Sequence, residues 1–149
     1  MSRHFLIGVA AVAAASLAVL PAEAAGCNGS ATIGSGGSAA AGDTSATTLG
    51  TGAACQTDNG TNATIGSGGS AATANGKAMS HTNTHANKDN LHSQSKAQAM
   101  DRGTFSKSHT HTKIKHGDEL QSRTKTMSHV PGQKPLMNTT RVQTEVPNQ

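Results

Sequence analysis

Ala31-Thr32-Ile33-Gly34-Ser35-Gly36-Gly37-Ser38-Ala39-Ala40 recurs unchanged from Ala63 to Ala72, and this duplicated decapeptide decides how the chain is read. Between the copies, Thr47-Thr48-Leu49-Gly50-Thr51-Gly52-Ala53-Ala54 is a degenerate third version, so Ile33, Leu49 and Ile65 are spaced by 16 residues each time. One aliphatic residue per unit at a fixed period is the pattern of a coiled solenoid of short strands. Burying that residue contributes about 2 to 3 kcal/mol, whereas ordering the backbone of such a unit costs on the order of 16 to 30 kcal/mol. The sum favours a flexible, low-complexity Gly/Ser-rich segment over folded coils.

The Ile/Leu-Gly-x-Gly run, followed after its first copy by Ala41-Gly42-Asp43-Thr44-Ser45, resembles the left-handed β-roll head repeats of trimeric autotransporter adhesins. The resemblance covers residues 28–76 and implies short β-solenoid-like repeats there. No heptad stalk follows and the period is longer than that family's usual one, so only the repeat geometry is carried over.

Upstream, Met1-Ser2-Arg3-His4 is positive, Phe5 to Leu20 is uncharged and apolar, and Pro21-Ala22-Glu23-Ala24 ends in a small-x-small cleavage pattern. Residues 1–24 therefore read as a secretory signal helix, removed to leave a chain in the periplasm or outside the cell. In that oxidising setting Cys27 and Cys55 are the only two cysteines, and so the only intramolecular disulfide pair. A rival reading makes Cys27 a lipidated N-terminus, since Ala24-Ala25-Gly26-Cys27 looks like a lipobox. The chain would meet a membrane only through that lipid or through an uncleaved leader.

Downstream, the composition changes abruptly near Gly76-Lys77. Residues 25–76 contain thirteen glycines and no Lys, Arg or His, with Asp43 and Asp58 as the only acids. Residues 77–149 contain eleven Lys or Arg, five acids and seven His, a net charge of 11 − 5 = +6 with His neutral. The halves read as separate segments: Gly/Ser/Thr/Ala-rich repeats at 25–76 and a basic, His-rich, disordered tail at 77–149.

Disorder follows from the scarcity of large apolar side chains. From Ala25 onward there are eleven Leu, Ile, Val or Phe residues, and Phe105 is the sole aromatic. That is well under the roughly 20% below which chains tend to stay unfolded. One stretch has helical character: Asp89 would cap a marginal helix over 90–102 and Gly103 would end it. Beyond Val130, Pro131, Pro135 and Pro147 predict an extended tail.

Chemistry, where there is any, lies with the histidines. His81, His85, His109, His111 and His116 form a candidate ligand set for Cu, Zn or Ni, because imidazole suits these ions and a flexible segment can close on one. Met79-Ser80-His81 and Met127-Ser128-His129 pair a thioether with an imidazole, a combination suited to Cu(I). No HExxH, CxxC or Gly-x-Ser-x-Gly motif occurs, and Gly76-Lys77-Ala78 departs from a phosphate loop, so the reading is non-enzymatic.

The cations suggest electrostatic attachment to an anionic envelope polymer or lipid surface. Nucleic acid is disfavoured, since only Phe105 offers a stacking platform. Two functions are thus expected of an exported chain: electrostatic interaction through the basic tail, or periplasmic metal buffering through the histidines.

Overall fold

The structure, a computed structural model, describes residues 27–58, 60–87 and 90–147. The signal segment at 1–24 and the expected helix cap Asp89 lie outside the described residues.

Among the described residues eight strands follow in order: β1 (Gly29–Ala41), β2 (Thr44–Thr57), β3 (Gly60–Thr73), β4 (Lys77–Ala86), β5 (Asn90–Asp101), β6 (Thr104–Lys115), β7 (Glu119–His129) and β8 (Leu136–Glu145). They form two antiparallel meanders, β1-β2-β3 and β4-β5-β6-β7-β8, packed face to face. The compositional boundary at Gly76-Lys77 is where the chain crosses from the first sheet to the second.

This ordered sandwich overturns the expectation of a disordered, low-complexity chain. Leu, Ile, Val and Phe are not the main core formers here; Ser, Thr, Ala and Gly are. On β6, Ser106, Ser108, Thr110, Thr112 and Ile114 are buried and alternate with Lys107, His109, His111 and Lys113. On β7, Leu120, Ser122, Thr124, Thr126 and Ser128 are buried and alternate with Gln121, Arg123, Lys125 and Met127. The period of two is a strand signal. It is written here in side-chain size, small inside and long outside, rather than in hydropathy.

Small interiors let the sheets come close. Cα atoms on facing strands approach within 8 Å, nearer than the roughly 10 Å of an ordinary sandwich. Glycines receive methyls from the opposite sheet: a Cβ on Gly37 would lie 2.7 Å from the Thr124 and Thr126 methyls, and one on Gly50 would lie 2.7 Å from the Thr110 methyl. One end of the interior is conventionally apolar, with Ala31, Ile33, Ala54, Ile114, Leu120 and Val146 packed together.

The middle of the interior is hydroxylic, and most of its hydroxyls pair with one another, whereas Thr73 Oγ1 at the end of β3 is buried without a partner. Thr112, Ser122, Ser35, Thr124, Thr110, Thr48 and Ser108 form a continuous chain of hydrogen-bonded hydroxyls, ending where Ser108 Oγ donates to the Gly37 carbonyl at 2.8 Å. Thr44 and Ser106 bond across the sheets at 2.8 Å. Buried hydroxyls are costly only when unpaired, so this core is compatible with folding while carrying few aliphatics.

The repeats do not coil. β1 and β3 flank β2, and the decapeptide copies lie on either side of it in the same register: Gly52 pairs with Ile33 and with Ile65, and Gly50 with Ser35 and Ser67. The structural unit is therefore a 32-residue pair of antiparallel strands, not a 16-residue solenoid turn. Leu49 belongs to the reversed strand; it pairs with Gly36 and Gly68 and is 42% exposed on the outer face, whereas Ile33 is buried.

The expected helix over 90–102 is instead β5. Its buried residues Ser93, Ser95, Ala97 and Ala99 follow a period of two, so tertiary pairing overrides a weak helical propensity. Gly103 does adopt a left-handed φ of 83°, but with Arg102 at φ 46° it makes the two-residue β5–β6 hairpin turn. The expected extended tail contains β8, which pairs with β7 from Leu136 to Glu145.

Candidate functional site

Alternation gives the five-stranded sheet a second, outward face, and nearly all its cations are there. β4 contributes Lys77, Met79, His81, Asn83 and His85; β5 contributes His92, Gln94, Lys96, Gln98 and Met100. Their partners are Phe105, Lys107, His109, His111, Lys113 and Lys115 on β6, and then Gln121, Arg123, Lys125, Met127 and His129 on β7. β8 adds Met137, Thr139, Arg141, Gln143 and Glu145. The outward face of the three-stranded sheet, by contrast, has no charged residue on its strands, its longest outward aliphatic being Leu49.

Strand register sorts these residues into rows running across the sheet. One row reads His81–Lys96–His109–Lys125–Thr139 and the next Asn83–Gln94–His111–Arg123–Arg141. Neighbours within a row are about 4.8 Å apart, and successive rows about 6.8 Å. Like charges directly opposite each other destabilise a sheet. Even so, Arg123 faces Arg141, and His109 stands between Lys96 and Lys125.

Among the described residues the carboxylates on this face are Glu119 and Glu145, both at one end. Lys115 Nζ donates to Glu119 Oε2 at 3.1 Å, and this bond, with Gln121 on the other oxygen, holds the Glu119 carboxyl below its ordinary pKa. The two central rows carry no acid.

Three imidazoles respond to the crowding. Burial, then Lys96, His111 and Lys125, lower the pKa of His109; burial, then Lys113, lower that of His111. His92 is lowered by burial, Lys113, His111 and His85, and its ring stacks on His111 with centroids 6.0 Å apart. His109 Nε2 and His129 Nδ1 are buried without hydrogen-bond partners.

Two shallow depressions open between β6, β7 and β8. One, of about 330 Å³, is bordered by Lys107, His109, Arg123, Lys125, Met127 and Met137. The other, of about 160 Å³, is bordered by His111, Lys113, Gln121, Arg123 and Arg141. Arg123 borders both. Beyond them Phe105 is covered by Lys107, whose Nζ lies 4.9 Å above the ring, and by the His129 ring at 5.2 Å.

The five histidines singled out as metal ligands are dispersed. His81 and His85 lie on β4, His109 and His111 on β6, all on the cationic face, whereas His116 occupies the β6–β7 turn with φ 49°. Among the described residues no three His, Cys, Asp or Glu side chains are grouped so as to hold an ion. Cys27 and Cys55 are joined by a disulfide, Cα atoms 5.5 Å apart, beside the first rungs of the β1–β2 ladder.

Arg123, Lys125, Lys113 and Arg141 were counted in the net charge but not singled out in the sequence. The alternation Lys-Ser-His-Thr-His-Thr-Lys from Lys107 to Lys113 was the available signal. No family model matches this chain, and no curated protein or solved structure matches it either.

Proposed function

We propose that this protein binds a linear anionic polymer, of the acidic-polysaccharide kind, across the outward face of β4–β8. The observation that carries the reading is the gathering of cations and imidazoles, without an acid, in the two central rows Lys96–His109–Lys125 and His111–Arg123–Arg141, with Arg123 directly opposite Arg141. Such rows lower stability in the free protein. A bound polyanion replaces the repulsion with attraction and releases counterions, so affinity falls steeply with salt.

A polymer lying along the rows meets a cation or imidazole on every strand but the last of one row, and on the last three strands of the other. Asn83, Gln94, Gln98 and Gln121 on the same face supply neutral donors for hydroxyls. The secretory leader expected at 1–24 would bring this face to the cell envelope or its exterior.

The test is a binding isotherm with dextran sulfate and with polygalacturonate at several salt concentrations. Binding that weakens with salt and is lost in an Arg123→Glu, Lys125→Glu variant supports the reading. Salt-independent binding, or binding unchanged by that variant, sinks it. Preferential binding to anionic lipid vesicles would transfer the function from polymer to membrane surface.

A further inference from the structure

The two sheets differ in width, and the difference leaves a ledge. Among the described residues, β8 is approached across the sandwich by β1 alone. Its inward-facing residues Leu136, Asn138, Thr140, Val142 and Thr144 are therefore largely uncovered, with Leu136 54% and Val142 37% exposed. None of the five is charged. The face is uncharged along its whole length and carries an exposed aliphatic towards each end, a surface able to pack against a second uncharged one.

Above this ledge, β1 ends the three-stranded sheet with an edge that no other strand covers among the described residues. From Ala31 to Ala40 that edge has no charge, no proline and no bulge, the devices that normally protect an edge from pairing. Val146 and Pro147 fold against the beginning of β1 near Gly29 and leave the rest open.

β1 and β8 are level and opposed. Ser35 bonds to Ser122 and Thr124, and Gly37, two residues on, sits against Thr124 and Thr126, which sets β1 alongside β7 in the same direction; β8 pairs antiparallel to β7, with Arg141 opposite Arg123. β8 therefore runs beneath this edge of β1 in the opposite direction. A strand added to β1 must run antiparallel to it, to match the rest of the sheet, and must offer an uncharged face to β8.

We infer that this strand is β8 of a second copy, so that the protein forms a two-fold lap-jointed dimer. A two-fold axis parallel to the strands places the partner's β8 beside β1, and β8 beside the partner's β1. The three-stranded sheet of each copy then continues into the five-stranded sheet of the other, giving two eight-stranded sheets. Each inward residue of β8 meets itself: Leu136 on Leu136 and Val142 on Val142. That is the self-complementarity an isologous interface requires.

Charge separates this arrangement from its competitor. Joining β8 to β8 edge to edge would merge the two cationic faces and bring Arg141 of each copy towards the other. The lap joint instead places those faces on opposite sides of the dimer. The ledge at β4 offers less, because Ala78, Ser80, Thr82, Thr84 and Ala86 present no large aliphatic, and Thr82 and Thr84 already bond to Ser95 and Ser93.

Sedimentation equilibrium of the purified protein across the micromolar range should show a dimer. Leu136→Lys with Val142→Lys should raise its dissociation constant by at least about 100-fold, while Met137→Lys on the outward face should leave it intact. Thr140→Cys should give a dimer cross-linked by a short bismaleimide, which keeps the test open if the double variant does not fold. A monomer at every concentration, a dimer insensitive to the Lys pair, or no cross-link through Thr140→Cys overturns the inference.

Discussion

Arg123 on β7 and Arg141 on β8 stand directly opposite each other on the outward face of the five-stranded sheet, with no carboxylate in their row. A like-charged cross-strand pair costs a few tenths to about 1 kcal/mol. Arg141→Glu should therefore raise stability by about 0.5 to 1 kcal/mol, read as a later urea midpoint, while weakening polyanion binding. A variant that lost both stability and binding would show that Arg141 serves packing rather than charge.

Gly68 and Gly69 are neighbours in the second decapeptide but face opposite ways. A methyl on Gly68 would meet nothing within 4 Å, whereas one on Gly69 would lie 2.6 Å from Ser95 Oγ. Gly68→Ala should be neutral or stabilising by up to about 1 kcal/mol. Gly69→Ala should destabilise by about 1 to 3 kcal/mol, as overpacking does. Equal thermal midpoints for the two variants would contradict the close approach of the sheets.

Thr48 bonds to Ser108 and Thr110, both at 2.7 Å, and so joins the last hydroxyl of the chain to the rest. Thr48→Val preserves shape and removes both bonds, and should lower stability by about 1 to 3 kcal/mol. The exposed Thr47, its neighbour on β2, should tolerate the same change with less than about 0.5 kcal/mol lost. Chemical denaturation of the two variants makes the comparison.

Acid should lower the stability of the free protein and raise its affinity for a polyanion. His92, His109 and His111 have folded-state pKa values below the ordinary imidazole value of about 6.5. As pH falls below that value the unfolded chain takes up protons first, so the stability fully present above it is lost until the folded values are passed. A bound polyanion favours the imidazolium forms, so affinity rises over the same window. Thermal midpoints should fall on acidification without dextran sulfate and fall less, or rise, with it. His109→Asn with His111→Asn should flatten both trends.

The sequence carried more of this than hydropathy can read. Ser106 to Ile114 alternates small and long side chains as strictly as a conventional strand alternates apolar and polar ones, but Ser and Thr enter a hydropathy count as solvent-seeking. Whether Thr110 is exposed or buried depends on a hydroxyl partner, Thr48, that lies 62 residues away. Leu49 misled in the other direction, because its spacing from Ile33 and Ile65 looked like a repeat while its strand ran in reverse.

Composition and order alone establish the division at Gly76-Lys77, the lone pair Cys27 and Cys55, and the concentration of cations and histidines in the second half. Tertiary structure decided everything that depends on pairing. It made a core from hydroxyls, turned the decapeptide copies into two sides of one strand, and spread His81, His85, His109 and His111 over a face with Lys96, Arg123, Lys125 and Arg141. The physical reason is that a small polar side chain has no fixed preference for inside or outside. Its burial becomes favourable only when another strand brings the matching donor, acceptor or glycine opposite it.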